Sequence, residues 1–309
     1  MSTATLELAP TEEEIHLATT EIVFKRILVA TDFSKPAARA LKTAVTIAQI
    51  FGSELTLVHA ALPYYYGTSP EMTAGNVLAF NLEVAQQKMD KLIASDPELR
   101  ALDPETIVEY GDVLDVIIEA AHDEQSDLII VGSHGASGVE RLALGSVAEC
   151  VLRRASCPVL IIGPHCQAEP FPFRSILFAT DLATTGLRAA QYATGLAERF
   201  HGRITLLHVV ENRKRTPGLD PELLEQRVKL ELARLLPGDV DHYSKTKLRV
   251  EYGIPSETIA DVARQEAASM VVVGLQERGA LADHVPWSTL SHLTHHAHCI
   301  ILGVRGRLT

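Results

Sequence analysis

Two groups of residues in this 309-residue chain have the types and spacing for chemistry on an anion. The denser group is Gly132-Ser133-His134-Gly135, followed after nine residues by Gly145-Ser146. It leaves an apolar run that ends at Val131 and leads into a helical pattern near Gly145. Glycines let backbone N–H groups come close to an anion and reach conformations closed to other residues. A helix N-terminus adds unpaired N–H donors and the positive end of the helix dipole. Together these features make a phosphate cradle. Ser146 fits two roles there, as the helix cap or as a hydroxyl donor to phosphate. The stretch is not a P-loop, since no Gly-Lys-Ser/Thr follows, and it is not the GxGxxG dinucleotide fingerprint. Glycine spacing alone is met as well by a tight turn and a helix cap.

The second group is Ala30-Thr31-Asp32, at the end of the first apolar run. Ligands of open α/β sheets bind at the carboxyl ends of the strands. A carboxylate there accepts hydrogen bonds from ribose hydroxyls or an adenine amino group, faces a metal ion, or caps the next helix. Position alone does not separate these roles. His134 and Arg141 flank the cradle, and Arg141 is either a partner for a γ-phosphate or a solvated loop arginine. Tyr64-Tyr65-Tyr66 follows the second strand, as a lid or as packing against a helix.

The elements that must position these residues are written twice. Residues 27–59 align without gaps on 176–208, with 13 identities in 33 positions, including Ala30-Thr31-Asp32 on Ala179-Thr180-Asp181 and His59 on His208. A second block aligns at an offset of 142: Val108–Gly111 on Val250–Gly253, Gly132 on Gly274 and Cys157 on Cys299. In the first copy, β-branched and aliphatic runs predict strands near 26–31, 54–60, 105–110, 127–132 and 158–163. Helical patterns lie between them, near 35–51, 72–94, 112–124 and 145–155. Ser34 is the expected cap of the first, with Pro36 in its first turn. Such alternation implies right-handed crossovers and a parallel sheet covered on both faces. The expected division is a tail over 1–24, one domain over 25–163, a proline-bearing linker over 164–173, a second domain over 174–304 and a tail over 305–309.

The run from strand-ATDFS through strand-His and Gly111-Asp112 to GSHG, with nine residues before Gly-Ser, resembles the universal stress protein family. Gly132, Gly135, Gly145 and Ser146 match the signature G-x2-G-x9-G-S/T of its nucleotide-binding branch. The resemblance implies an α/β fold of the adenine-nucleotide alpha-hydrolase kind: two tandem open five-stranded parallel sheets of order 3-2-1-4-5, with helices on both faces. It assigns Asp32 and Ala60 to adenine and ribose, and Gly132, Gly135, Gly145 and Ser146 to the phosphates. Ala30 and Val131 would line the adenine pocket, and Gly111 closes a turn nearby. It implies ATP or another adenine nucleotide as ligand, with Mg²⁺ as the phosphates' counter-ion. The final strands would be exposed apolar edges, which invite pairing. The two copies are therefore expected to dock through them as an internal pseudo-dimer, and two chains to pair again as a homodimer.

The second copy keeps Asp181, His208, Gly253, Gly274 and Ser288, but has Glu277 and Trp287 where the first has Gly135 and Gly145. A carboxylate in the cradle repels phosphate, since like unit charges about 4 Å apart cost about 4 kcal/mol at an effective dielectric of about 20. An indole blocks close approach of a ligand to the backbone. One competent site is expected, in the first copy. The second copy also carries His284, His292, His295, His296 and His298, with His292 and His296 one helical turn apart; no third ligand is evident, so no metal site is assigned.

The remaining features exclude function classes. A net charge of −11 lacks the basic footprint of a nucleic-acid binder. No apolar run approaches the roughly 20 residues of a membrane span. The first twenty residues carry Glu12-Glu13-Glu14 rather than a signal-peptide pattern. Four unpaired-looking cysteines fit a reducing compartment, so the expected location is cytoplasmic. The cradle holds no lysine, and no general base or nucleophile is assigned; any hydrolysis is expected to be slow and Mg²⁺-dependent. The expected function is ATP-dependent regulatory binding in a stress response. The alternatives are a nucleotide-free scaffold and a metal-responsive interaction protein.

Overall fold

A computed structural model describes residues 21–61, 74–133, 145–166, 171–183, 186–211, 220–236, 246–275 and 287–306. The first half runs β1 (Arg26–Ala30), α1 (Lys35–Phe51), β2 (Glu54–Ala61), α2 (Ala74–Ser95), α3 (Pro97–Ala101), β3 (Glu105–Tyr110), α4 (Val113–Asp123), β4 (Leu128–Gly132), α5 (Ser146–Arg154) and β5 (Val159–Ile162). The second runs β6 (Ser175–Ala179), α6 (Leu187–Arg199), β7 (Arg203–Val210), α7 (Pro221–Ala233), β8 (Thr246–Tyr252), α8 (Pro255–Gln265), β9 (Met270–Leu275), α9 (Trp287–His296) and β10 (Ile300–Arg305). The expected strands and helices of the first copy are all present. The sequence reading missed α3, which the Asp96-Pro97 pair starts: the Asp96 carboxylate accepts from the Glu98 and Leu99 amides.

All ten strands form one sheet, in the order β3-β2-β1-β4-β5-β10-β9-β6-β7-β8. Each half has the expected order 3-2-1-4-5, and the two halves are continuous. Within a half every pairing is parallel; the join, β5 with β10, is antiparallel. Its register pairs Leu160 with Leu302, residues separated by the repeat offset itself. A pseudo-twofold axis therefore passes through this pair, and the two apolar edge strands cover each other. Because the join is antiparallel, the carboxyl ends of the strands in the two halves point in opposite directions.

The apolar runs are continuous because both faces are covered. Ile27, Val29, Leu55 and Leu57 face α1, α2, α6 and α7, while Leu28, Val58, Ile129 and Val131 face α4, α5, α8 and α9. Each of these cores extends through both halves. On the first face the halves also meet through rings: Phe51 packs on Phe24 at 5.1 Å, Phe200 at 5.3 Å and Phe173 at 5.6 Å, and Phe173 stacks on Phe200 at 4.6 Å. On the second face a Cβ added to Gly163 would collide with the Thr294 carbonyl oxygen of α9. No described helix is long and apolar enough to cross a membrane.

Gly163→Ala is expected to destabilise the fold by about 1–3 kcal/mol, as forced overpacking does. Gly75→Ala in α2, where nothing lies within 4 Å of the added carbon, should be neutral or stabilising by up to about 1 kcal/mol. Urea melts of the two variants test the contrast.

Candidate functional site

The first half reverses direction between β1 and β4, which are neighbours in the sheet. α1 leaves β1 toward one face and α5 leaves β4 toward the other. That divergence opens a crevice at the carboxyl ends of β1 and β4, the usual ligand position of such sheets.

On the β1 side, Thr31 and Asp32 form a tight turn. The Thr31 amide donates to the Val58 carbonyl at 2.9 Å, which keeps the strand in register. Thr31 Oγ1 accepts from the Phe33 amide at 3.1 Å, and Asp32 Oδ1 accepts from the Ser34 amide at 3.0 Å. Phe33 is held at φ 61°, a left-handed conformation unfavourable for a non-glycine residue. Ser34 is the cap of α1, accepting from the Ala37 amide at 3.3 Å. This removes helix capping from the roles open to Asp32, whose side chain is exposed at the crevice mouth.

His59 locks the same turn. Its Nδ1 lies 2.7 Å from the Thr31 carbonyl oxygen; since a carbonyl only accepts, Nδ1 carries the proton and Nε2 of the neutral ring does not. The Phe33 ring packs on the imidazole at 4.5 Å, and Lys88 Nζ lies 5.8 Å from the Phe33 centroid. Neither Phe33 nor His59 was assigned a role from sequence. The signal was there for His59, since it recurs as His208.

On the β4 side, Val131 is buried and Gly132 half-buried. A Cβ on Gly132 would lie 3.1 Å from the Pro36 carbonyl carbon and oxygen, so glycine lets β4 end against the start of α1. The Ser133 amide donates to Ile162 at 3.0 Å, and the Gly145 amide donates to the Ser133 carbonyl at 2.8 Å. This clasp brings Gly132 and α5 together. Gly135, His134 and Arg141 lie outside the described residues, as do Tyr64, Tyr65 and Tyr66. Gly145 is the N-cap of α5 and no side chain caps the helix. Ser146 is thus the first helical residue and does not cap α5, which corrects one of the two roles open to it from sequence; the residue is exposed. Side chains cap α1, α3, α4 and α7, whereas α5, α6 and α8 have none. Ala30 and Ala60 are half-buried at the ends of β1 and β2, and Gly111 turns β3 into α4 with Val116 Cγ2 3.1 Å from an added Cβ.

The second half repeats the β1-side turn bond for bond. Thr180 Oγ1 accepts from Leu182 at 3.0 Å, Asp181 Oδ1 accepts from Ala183 at 2.9 Å, and His208 Nδ1 lies 2.9 Å from the Thr180 carbonyl oxygen. Leu182 sits at φ 65°. Glu277 and His284 lie outside the described residues. His292 and His296 rings are 4.2 Å apart, and among the described residues no group of three or more His, Cys, Asp or Glu is placed to hold a metal ion. Burial pushes the Cys157 and Cys299 thiols up to about 12, so both are unreactive at neutral pH.

Burial holds the His59 imidazole below its ordinary pKa; the Thr31 hydrogen bond raises it, Lys88 lowers it and Asp32 raises it. A depressed folded-state value means the unfolded chain takes up this proton first. The contribution is complete above the unfolded pKa of about 6.5 and is lost as pH falls toward the folded value. His59→Asn, which keeps an N–H for the Thr31 carbonyl, should cost about 1 kcal/mol at neutral pH. It should also lose less stability than the parent between about pH 7 and pH 5, as urea unfolding at each pH would measure.

A family model described as the universal stress protein family matches residues 24–163 and again 172–305. A universal stress protein of Methanocaldococcus jannaschii is 30% identical over 142 residues, covering 46% of this chain and 84% of that protein. One from Mycolicibacterium smegmatis is 27% identical over 289 residues, covering 91% and 97% of the two chains. The crystal structure of a universal stress protein from Archaeoglobus fulgidus has the same fold, with a TM-score of 0.66 at 20% identity over 92% of this chain and 98% of that one. With both of its halves matched by one family model and joined in a single sheet, the chain belongs to the universal stress protein family, as a tandem member with two repeats.

Proposed function

We propose that the first repeat, over residues 25–163, binds one adenine nucleotide per chain and that the protein works as a nucleotide-dependent binding protein in the cytoplasm. The observation that carries this reading is the meeting of two features at the carboxyl ends of adjacent strands. One is the exposed Asp32 carboxylate on a turn fixed by four hydrogen bonds and a strained Phe33. The other is the N-terminus of α5, which no side chain caps.

In this reading Asp32 and the Ala60 backbone accept and donate to the adenine and ribose, and Ala30 and Val131 flank the base. Their small or buried side chains fit a flat aromatic ligand better than a bulky polar lining would. The amides of the Gly132–Ser133 segment, Gly135 and the first turn of α5 donate to the phosphates, and the Ser146 hydroxyl adds a further donor. The donor set suits an anion and provides no dedicated cation cage, so Mg²⁺ would enter with the phosphates as their counter-ion. Bound there, the metal would neutralise phosphate charge. With no lysine in the motif, turnover is expected to be slow, and conformational or partner control is the main output. The second repeat, over 174–304, keeps the Asp181 turn but carries Glu277 and Trp287 in place of two cradle glycines, and serves as a structural partner. A second chain pairs with the first to form a homodimer.

Protein purified without added nucleotide, then denatured, should release an adenine nucleotide detectable by mass spectrometry. Equilibrium titration should find one site per chain. Asp32→Ala removes charge-assisted hydrogen bonds and is expected to weaken binding by about 10- to 100-fold. Gly135→Glu should abolish it, and Glu277→Ala should leave the stoichiometry unchanged. Two equal sites, or none, would overturn the proposal; ATP turnover faster than about 1 s⁻¹ with Mg²⁺ would make the protein an enzyme rather than a binder.

A further inference from the structure

α5 runs from the crevice of the first half to the carboxyl end of β10 in the second. Its N-terminus faces the crevice of the first half. The halves join in antiparallel fashion, so its C-terminus lies at the carboxyl end of β10, in the second half. The helix is only nine residues, about 13 Å long. That is shorter than a helix stable by itself. Its start is held only by the backbone clasp from the Gly145 amide to the Ser133 carbonyl, with no side-chain cap; the rest of its position is set by buried Ala148, Val151 and Leu152, by the Arg154–Asp115 ion pair at 2.8 Å, and by Arg305.

Arg305 closes β10 and crosses to α5. Its Nη1 donates to the Arg153 carbonyl at 2.6 Å and more distantly to the Ala155 carbonyl at 3.4 Å. The last carbonyls of a helix lack intrahelical partners and carry its negative end, so a guanidinium there both satisfies and attracts them. The Arg305 carbonyl in turn accepts from Arg188 Nη1 at 3.2 Å. Arg188 stands in the first turn of α6, just past the Asp181 turn of the second half.

The pseudo-symmetric contact is different. α9 is the equivalent helix of the second half, and the residue equivalent to Arg305 at the offset of 142 is Gly163. Gly163 presses its backbone on the Thr294 carbonyl of α9 and has no room for even a methyl group. Only the helix leading from the first-half cradle is held by a cation from the opposite half through this pair of positions.

We propose that Arg305 is a positioning residue for the first-half cradle: by holding the C-terminal carbonyls of α5 it fixes where the N-terminal amides of α5 stand, so the second repeat sets the anion affinity of the first. The anion-binding part rests on the nucleotide reading above; the positioning part does not. A short helix moves as one body, so loosening its far end displaces the near one. The second repeat thereby has work to do at a site it does not itself form.

Amide exchange in full-length parent, Arg305→Ala and Arg305→Lys separates the two parts. The readout is the Glu149 amide, whose 3.0 Å bond to the Gly145 carbonyl closes the first turn of α5. It should exchange at least about threefold faster in Arg305→Ala, while the first turn of α1 is unchanged. Arg305→Lys, which keeps the charge without the fork, should lie between. ATP affinity should fall by about three- to tenfold in Arg305→Ala, again with partial recovery in the lysine variant. Unchanged exchange at Glu149, or equal acceleration in every helix, would overturn the proposal. If Arg305→Ala does not fold, the same comparison is read on Arg305→Lys. Localised acceleration in Arg305→Ala, together with a parent that binds no ATP, would support the positioning role and refute the nucleotide reading.

Discussion

The antiparallel pairing of β5 with β10 is the constraint on which the molecule's organisation depends. Each repeat ends in an apolar strand with one unpaired edge, and an exposed edge of that kind recruits another strand. Here each edge takes the other, with Leu160 opposite Leu302. The consequences follow from geometry. The sheet becomes a single ten-stranded surface, both faces share continuous cores, and the two crevices open at opposite ends. A parallel join would have placed both crevices on the same side and put the amino end of β10, rather than Arg305 at its carboxyl end, beside the C-terminus of α5.

The two crevices have diverged unevenly. The β-strand turn at Asp32 recurs at Asp181 with matching hydrogen bonds and matching positive φ at Phe33 and Leu182. Such a backbone state costs on the order of 1–3 kcal/mol and persists where its surroundings over-determine it. Here the surroundings are the threonine hydroxyl, the aspartate carboxylate and the histidine from the neighbouring strand, and the three recur together. The anion end shows the opposite behaviour. Its requirements are the absence of side chains and of negative charge, and one substitution at either kind of position removes it. In the second repeat Glu277 and Trp287 stand at two such positions, and the proposed reading takes them as such changes. A structure held by several mutually supporting bonds tolerates drift, whereas a site defined by empty space does not.

Much of this was legible in the sequence because it is local. Strand and helix positions follow from hydrophobic period, Ser34 and Pro36 announce α1, and the internal match announces the duplication. Strand order and the pairing of the final strands came from family resemblance and from the edge argument. What escaped detection is relational. Nothing about Phe33 marks it for a left-handed conformation, since its neighbours' side chains impose it. His59 was visible as a repeated residue, but its hydrogen bond to Thr31 depends on β1 lying beside β2. Ser146 looked like a cap because serine commonly is one; the clasp between Gly145 and Ser133 instead makes the glycine the cap. The aromatic joint of Phe24, Phe51, Phe173 and Phe200 is spread over both repeats and their linker, so no window of sequence contains it.

Fusion of the repeats into one chain also changes what their interface can do. In a homodimer related by a true twofold axis, the residue at the equivalent position by each final strand must be the same, so both helices of the α5 type would meet either a guanidinium or a bare backbone. In the fused chain those positions are Arg305 and Gly163, and the two helix ends are treated differently. The asymmetry runs in the same sense as the divergence of the crevices: the helix braced by the arginine is the one that starts at the intact glycine motif. On the proposed reading, the second repeat has two physical roles that need no anion site of its own: covering an apolar strand edge and holding the far end of its neighbour's short helix. Neither role requires a ligand in the second repeat; both depend only on its fold.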